Sequence, residues 1–234
     1  MLALIYDVHG NLPALEAVLA DAEREGADRW LLGGDYVAWG AWPAETYERL
    51  RAIGGAQWIR GNTDRWLLDP PDDATTAEAL ARAAEAIGAA AVSELVALPE
   101  RLTLAEANFC HASPLNDMES FGPEPGDDDD RLLDGVQDRR VVFGHTHVQF
   151  SRSRIRISGS GTDETLELVN PGSVGMPLDG DHRAAYALIG DDDIVMPRRV
   201  EYDHEAAAAQ TRAFHGGQGE AADTFAGRIA NAHL

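Results

Sequence analysis

The sequence predicts an α/β protein, and three observations carry that expectation. Short apolar runs alternate with helix-period segments along the first 60 residues. The spacing between polar strand exits is that of a strand-turn-helix unit, with 26 residues from His9 to Asp35 and 27 from Asp35 to Asn62. At 44% hydrophobic and 25% charged, the composition is that of a globular chain with enough apolar side chains to build a core.

The elements follow in order. LALIY (2–6) is a continuous apolar run and a candidate buried strand. Leu12, Leu15, Val18, Leu19 and Ala22 then recur at helical spacing until Gly26 closes the segment. RWLL (29–32), a helix over 42–53 and AQWI (56–59) repeat the alternation, which is the signature of a sheet with crossover helices. The Ala-rich stretch 74–96 predicts a helix by propensity, with Leu80, Ile87 and Leu95 as its apolar stripe. RLTLAEANFCH (101–111) holds two short strands. Residues 114–131, with prolines, glycines and four consecutive aspartates, predict an exposed, mobile acidic loop.

VVF (141–143) is a further buried strand ending at GHTH, and alternation in QFSRSRIRIS and TLELV predicts half-exposed antiparallel strands. The loop NPGSVG (170–175), the strands AAYALI (184–189) and IVMPRRV (194–200), and a helical segment over 203–234 complete a single domain spanning 1–234. Gly172 and Gly175 in that loop permit tight turning, while Ser173 could instead edge a substrate pocket. The run of aspartates at 127–130 lacks the glycine and terminal Glu of an EF-hand loop, so it reads as a solvated loop or helix start.

Composition limits function. Forty acidic against 19 basic side chains give a formal charge of −21, which repels phosphate backbones and argues against general nucleic-acid or anionic-membrane binding. A small phosphorylated substrate stays open, because a bound metal inverts the local field. The single cysteine, Cys110, excludes an internal disulfide framework and a Cys-rich zinc site. With no basic leader before Asp7 and no long apolar run, the expectation is a cytoplasmic protein without a membrane span. A homo-oligomer is compatible with all of this.

Polar clusters sit at the predicted strand exits: Asp7 and His9, Asp35, Asn62, His111, and His145 with His147. Each alone is a cap, a turn or a satisfied imidazole. Together they place seven O or N donors at the carboxyl ends of strands, where open α/β sheets bind ligands. Imidazole with carboxylate suits Mn, Fe, Ni or Zn. Seven donors exceed one tetrahedral ion but suit two ions about 3.5–4 Å apart that share a carboxylate, hold a hydroxide between them and polarise a phosphoryl group.

The motifs Asp7-x-His9-Gly10-Asn11, Gly34-Asp35, Gly61-Asn62-x-Asp64, His111 and Gly144-His145-Thr146-His147 resemble, in that order, the calcineurin-like metallophosphoesterase superfamily, and with NPGSVG its small bacterial and archaeal phosphodiesterases. The resemblance runs from residue 1 to about residue 200. It implies a four-layer α-β-β-α sandwich of two mixed β-sheets with flanking helices. It implies two divalent ions per chain, manganese first: one held by Asp7, His9 and His147, the second by Asn62, His111 and His145, with Asp35 bridging. Asp35, Asn62, His111 and His145 would then serve catalysis directly. Asn11 contacts the phosphate or caps the helix at Leu12, and Arg60 faces the phosphate or pairs with the acidic surface.

Thr63 marks a departure. Many relatives carry there a His that protonates the leaving group, with the following acid orienting it. A threonine hydroxyl is too weak an acid near neutral pH to substitute, so Asp64 is left to hold the loop and good leaving groups should be favoured. The expected activity is that of a phosphodiesterase. The alternatives are a nucleotide or phosphoprotein phosphatase, including a dinucleoside polyphosphate hydrolase, and a non-catalytic metal-binding scaffold.

Overall fold

The structure is a computed structural model that describes residues 1–157 and 163–233. Ser158, the last residue of the alternating QFSRSRIRIS run, and Leu234, the last of the C-terminal segment, lie outside the described residues. The first half alternates β1 (Leu2–Ile5), α1 (Leu12–Arg24), β2 (Arg29–Leu32), α2 (Pro43–Arg51), β3 (Gln57–Trp58), α3 (Asn62–Trp66) and α4 (Ala74–Val96). There follow β4 (Arg101–Leu104), β5 (Ala107–Cys110), α5 (Asp129–Leu132), β6 (Arg140–Val142), β7 (Phe150–Ile157) and β8 (Asp163–Asn170). The chain ends with β9 (Ala184–Ile189), β10 (Val195–Val200), α6 (His204–Phe214) and α7 (Glu220–Asn231).

These strands form two mixed five-stranded sheets, ordered β10-β9-β1-β2-β3 and β4-β5-β6-β8-β7. In the first, β1, β2 and β3 run parallel, as crossover helices require, and β9 joins β1 antiparallel. In the second, β5, β6 and β8 run parallel between antiparallel β4 and β7. The sheets pack face to face through Leu4, Tyr6, Leu31 and Ile59 against Ala107, Phe109, Val142 and Val169. This explains why LALI is a continuous apolar run and why all four residues of ANFC are buried: both faces of those strands are covered.

The outer face of the first sheet is covered by α1 through Leu15, Val18 and Leu19, by α2 through Tyr47 and Leu50, and by α4 through Ala83, Ala91 and Leu95. The Ala-rich helix is not continuous. It breaks at Gly88, whose φ of 80° and ψ of 160° are non-helical. The outer face of the second sheet is covered by Phe121 of the acidic segment and by Leu132 and Val136 just after it. The expectation of a free loop over 114–131 therefore needs correction at two anchors. Phe121 is fully buried, and Asp129 is buried against the Arg152 guanidinium at 2.7 Å. The aspartate run opens the one-turn helix α5.

The C-terminal helices dock beside the strand exits. Phe225, Ala226 and Ile229 of α7 and Ala207 and Ala208 of α6 pack with Ala79 and Leu80 of α4 and with Trp39 and Met176. The 19 basic side chains are all arginine, and the 40 acidic side chains outnumber them about two to one. At low salt their mutual repulsion acts across the surface, and it is screened as the Debye length falls from about 30 Å at 0.01 M to about 3 Å at 1 M salt. The thermal midpoint is therefore expected to rise with sodium chloride over that range. A midpoint that falls would show that the surface ion pairs outweigh the net repulsion.

Candidate metal centre

Each predicted ligand sits just beyond a strand or at the start of a helix, on one edge of the sandwich. Asp7 and His9 follow β1, Asp35 follows β2, Asn62 opens α3, His111 follows β5, and His145 and His147 follow β6. The backbone is bent sharply to bring them together. Asp7, His9, Asp35, His145 and His147 all have φ between 49° and 66°. Such values are uncommon outside glycine and cost of order 1–3 kcal/mol each, so they persist only where the surroundings over-determine them. Five of the seven predicted ligands carry that strain.

Two glycines allow the close approach. A Cβ on Gly61 would lie 2.1 Å from Asp35 Oδ1, and one on Gly144 would lie 2.4 Å from Asp7 Oδ2. The Gly61 site is braced by Asp64, whose carboxylate accepts the backbone N–H groups of Gly61 (2.8 Å), Asp35 (2.9 Å) and Tyr36 (3.1 Å). Burial, and then the Asp35 charge, push the Asp64 carboxyl up to about 7 despite those three donors. The NPGSVG loop closes the other side. Val174 and Gly175 N–H donate to Tyr6 O and Asp7 O, and the Ser173 hydroxyl donates to Asp7 O at 2.8 Å. Ser173 is fully buried and holds the β1 exit, as the turning role of this loop requires.

The side chains converge in two adjacent triads that share Asp7: Asp7, His9 and His147, and Asp7, Asp35 and His111. His9 Nε2 and His147 Nε2 lie 3.0 Å apart, and His147 Nε2 lies 3.5 Å from Asp7 Oδ1. Asn62 Oδ1 lies 2.9 Å from both His111 Nε2 and His145 Nδ1. Asp35 faces one imidazole in each direction, with Oδ2 3.7 Å from His9 Nε2 and Oδ1 3.4 Å from His111 Nε2.

This donor set fits a pair of metal ions. Asp7 Oδ1 is buried with no hydrogen-bond partner among the described residues, an expensive arrangement for a carboxylate with nothing else to satisfy it. The outer nitrogens of two imidazoles are tied to carbonyls: His111 Nδ1 to Gly33 O at 2.9 Å and His147 Nδ1 to Met176 O at 2.6 Å. Those bonds occupy Nδ1, so Nε2 is the nitrogen each imidazole turns inward to a metal once it is deprotonated, the outer-shell arrangement of a metal-ligating histidine.

Charge follows the same pattern. Burial alone would raise Asp7 and Asp35, but the histidines beside them, His147 for Asp7 and His111 for Asp35, hold both carboxyls below the usual range. Burial, and then the His147 charge, push His9 down to about 3, and burial lowers His145. His111 is the exception. Burial disfavours its charged form, but Asp35 outweighs that and lifts it to about 10. An ion bound at His111 must displace that proton, so apparent metal affinity should climb by up to about tenfold per pH unit below pH 10. Titrating metal at pH 6 and pH 8 measures this, and equal affinities would show that no imidazolium is displaced.

The cleft over these residues has a volume of about 560 Å³ and is lined further by Trp39, Thr63, Trp66, Met118, Leu178 and Arg228. Trp39 stacks on Phe225 at 4.5 Å, and Thr63 Oγ1 is buried without a partner among the described residues. Two expected substrate contacts are corrected. Asn11 caps α1 through Ala14 N–H, and its amide nitrogen donates to Gly175 O at 2.7 Å, so both ends of the amide are engaged in holding the loops. Arg60 donates to Val96 O and to Glu100 at the junction of α4 and β4. Neither residue lines the cleft. The sequence reading missed Trp39, Trp66 and Arg228. The tryptophans of GGDYVAWGAW and NTDRW lie within a few residues of Asp35 and Asn62, and that proximity was the available signal.

Residues 1–192 match the family described as the calcineurin-like phosphoesterase superfamily domain. An uncharacterized protein of Methanocaldococcus jannaschii is 31% identical over 224 residues, covering 88% of this chain and 90% of its own length. Among solved structures, a metallophosphoesterase from Sphaerobacter thermophilus is similar at 27% identity and a TM-score of 0.80, covering 99% of both chains. A hypothetical protein from Pyrococcus horikoshii shares the fold at 20% identity and a TM-score of 0.74, again over 99% of both chains.

Proposed function

The chain belongs to the calcineurin-like phosphoesterase superfamily, and from that we propose that it is a dinuclear metal-dependent phosphoric ester hydrolase acting on small phosphodiesters. The observation that carries this reading is the convergence of two buried triads on Asp7. Asp7, His9 and His147 would hold one ion, and Asn62, His111 and His145 the other. Asp35, whose two oxygens face one histidine of each set, would serve both. When bound, such ions supply positive charge to a phosphoryl group and lower the pKa of water. Manganese is the first choice among Mn, Fe, Ni and Zn for an oxygen-and-imidazole set without thiolate.

The chain's own groups do the rest. Asp64 holds the Asn62 loop rigid through three backbone donors. The Thr63 N–H donates to Asp35 Oδ1 at 2.9 Å and fixes that carboxylate. The Thr63 hydroxyl offers a neutral hydrogen bond to a substrate oxygen but no strong acid. Trp39, Trp66 and Leu178 add apolar surface to the cleft, which suits an organic group on the ester. The test is a paired assay of an aryl phosphodiester and its monoester after loading with each metal, with Asp35→Ala as the blank. Preference for the diester supports this reading, and preference for the monoester supports a phosphatase. Metal binding without turnover of either would leave a scaffold.

A further inference from the structure

Arg228 reaches the cleft from α7, outside residues 1–192 that match the family, and its situation differs from that of every other arginine in the chain. The others are all engaged by a carboxylate or a carbonyl, as expected where acids outnumber bases two to one. Arg228 has neither an ion pair nor a side-chain hydrogen bond among the described residues, and its Nε is buried without a partner. Its helix provides none. The positions three and four residues away are Thr224, Phe225, Asn231 and Ala232, and the nearest acid, Asp223, is paired with Arg212.

A half-buried guanidinium without an anion is unfavourable, and burial lowers its proton affinity. The helix that carries it is nevertheless firmly docked. Phe225 and Ile229 of the same helix are buried, and Phe225 stacks on Trp39, itself in the cleft wall. A planar cation without a partner among the described residues, opening onto a cleft lined by His9, Asp35, Asn62, His145 and His147, lacks only an anionic ligand. Guanidinium matches phosphate geometry through paired N–H donors and keeps its charge at any working pH.

We propose that Arg228 anchors a phosphate oxygen of the substrate, which makes the C-terminal helix part of the specificity machinery of the site. This rests on the phosphohydrolase reading above. The anchored oxygen belongs either to the phosphate over the metal ligands or to a second phosphate on the same substrate. Arg228 is a binding residue, so its loss acts on KM more than on kcat.

The test compares the manganese-loaded full chain with Arg228→Met and Arg228→Lys. It reads KM and kcat for bis-p-nitrophenyl phosphate and a nucleoside diphosphate, inhibition by inorganic phosphate, metal content and the thermal midpoint. Loss of a charge-assisted hydrogen bond should raise KM roughly ten- to hundredfold in Arg228→Met, with partial recovery in Arg228→Lys. Metal content should not change, and the midpoint should hold or rise, because an unpaired buried charge is removed. A matching weakening of phosphate inhibition places the contact at the scissile phosphate, whereas a change confined to the diphosphate places it at a second one. KM and inhibition within twofold of wild type in both variants would overturn the proposal, as would a loss of metal or stability that accounts for the change. A wild-type chain that neither turns over these esters nor is bound by phosphate overturns the phosphohydrolase reading itself.

Discussion

Asp35→Asn is expected to lower kcat/KM for an activated aryl diester by about 10³-fold or more while the protein stays folded. Asp35 is 2% exposed, and its two oxygens face His9 on one side and His111 on the other. With one oxygen toward each side, it has the arrangement expected of a bridging ligand, whereas Asp7 reaches both histidines through the same oxygen, Oδ1, at 3.9 Å. Asn keeps the shape and accepts the positive φ of 58° better than Ala, so the substitution isolates the charge from the backbone. Its amide oxygen can still accept the Thr63 N–H, which keeps the loop seated. Loss of Asp35 also removes the partner that lifts His111, so metal affinity should become less dependent on pH. Steady-state kinetics with circular dichroism as a control reads the result. Activity within tenfold of wild type would mean that Asp35 is not a shared ligand.

Turnover should also fall steeply as the leaving group becomes more basic. Alkyl esters should lag aryl esters by a further ~10²–10⁴-fold, the range that a missing general acid costs. The cause is local. Thr63 lines the cleft with a hydroxyl that has no partner among the described residues, at the position where the family resemblance would place a proton-donating imidazole. Thr63→His should therefore narrow the aryl-to-alkyl rate ratio. The gain should sit at the lower end of that range, because Asp64 already accepts three backbone N–H groups and has little capacity left to orient a new imidazole. Leaving-group series for the two proteins give the slopes, and parallel slopes would show that the leaving-group proton does not pass through this position.

Much of this site was legible because its chemistry is carried by residue type at strand exits. Asp7, His9, Asp35, Asn62, His111, His145 and His147 follow apolar runs whose pairing is set by local pattern, so their convergence follows from the fold. The two-sheet architecture itself came from resemblance, since alternation alone predicts a sheet but not how many. What stayed hidden depends on contacts remote in sequence. Asn11 could cap a helix or touch phosphate until Gly175, far along the chain, was seen to take its amide. Arg60 is adjacent to the ligand loop, yet its guanidinium is taken by Val96 and Glu100. The acidic run looked solvated because nothing local shows that Arg152 waits for Asp129. Arg228 was readable only in the negative, as an arginine with no acid at helical spacing.

The central claim is that these seven side chains hold two metal ions, and bound-metal analysis tests it most directly. After reconstitution with manganese and removal of free metal, elemental analysis of the wild-type chain should find about two ions per polypeptide, one for each triad. No retained ion, or a single ion unaffected by Asp35→Asn, would contradict it.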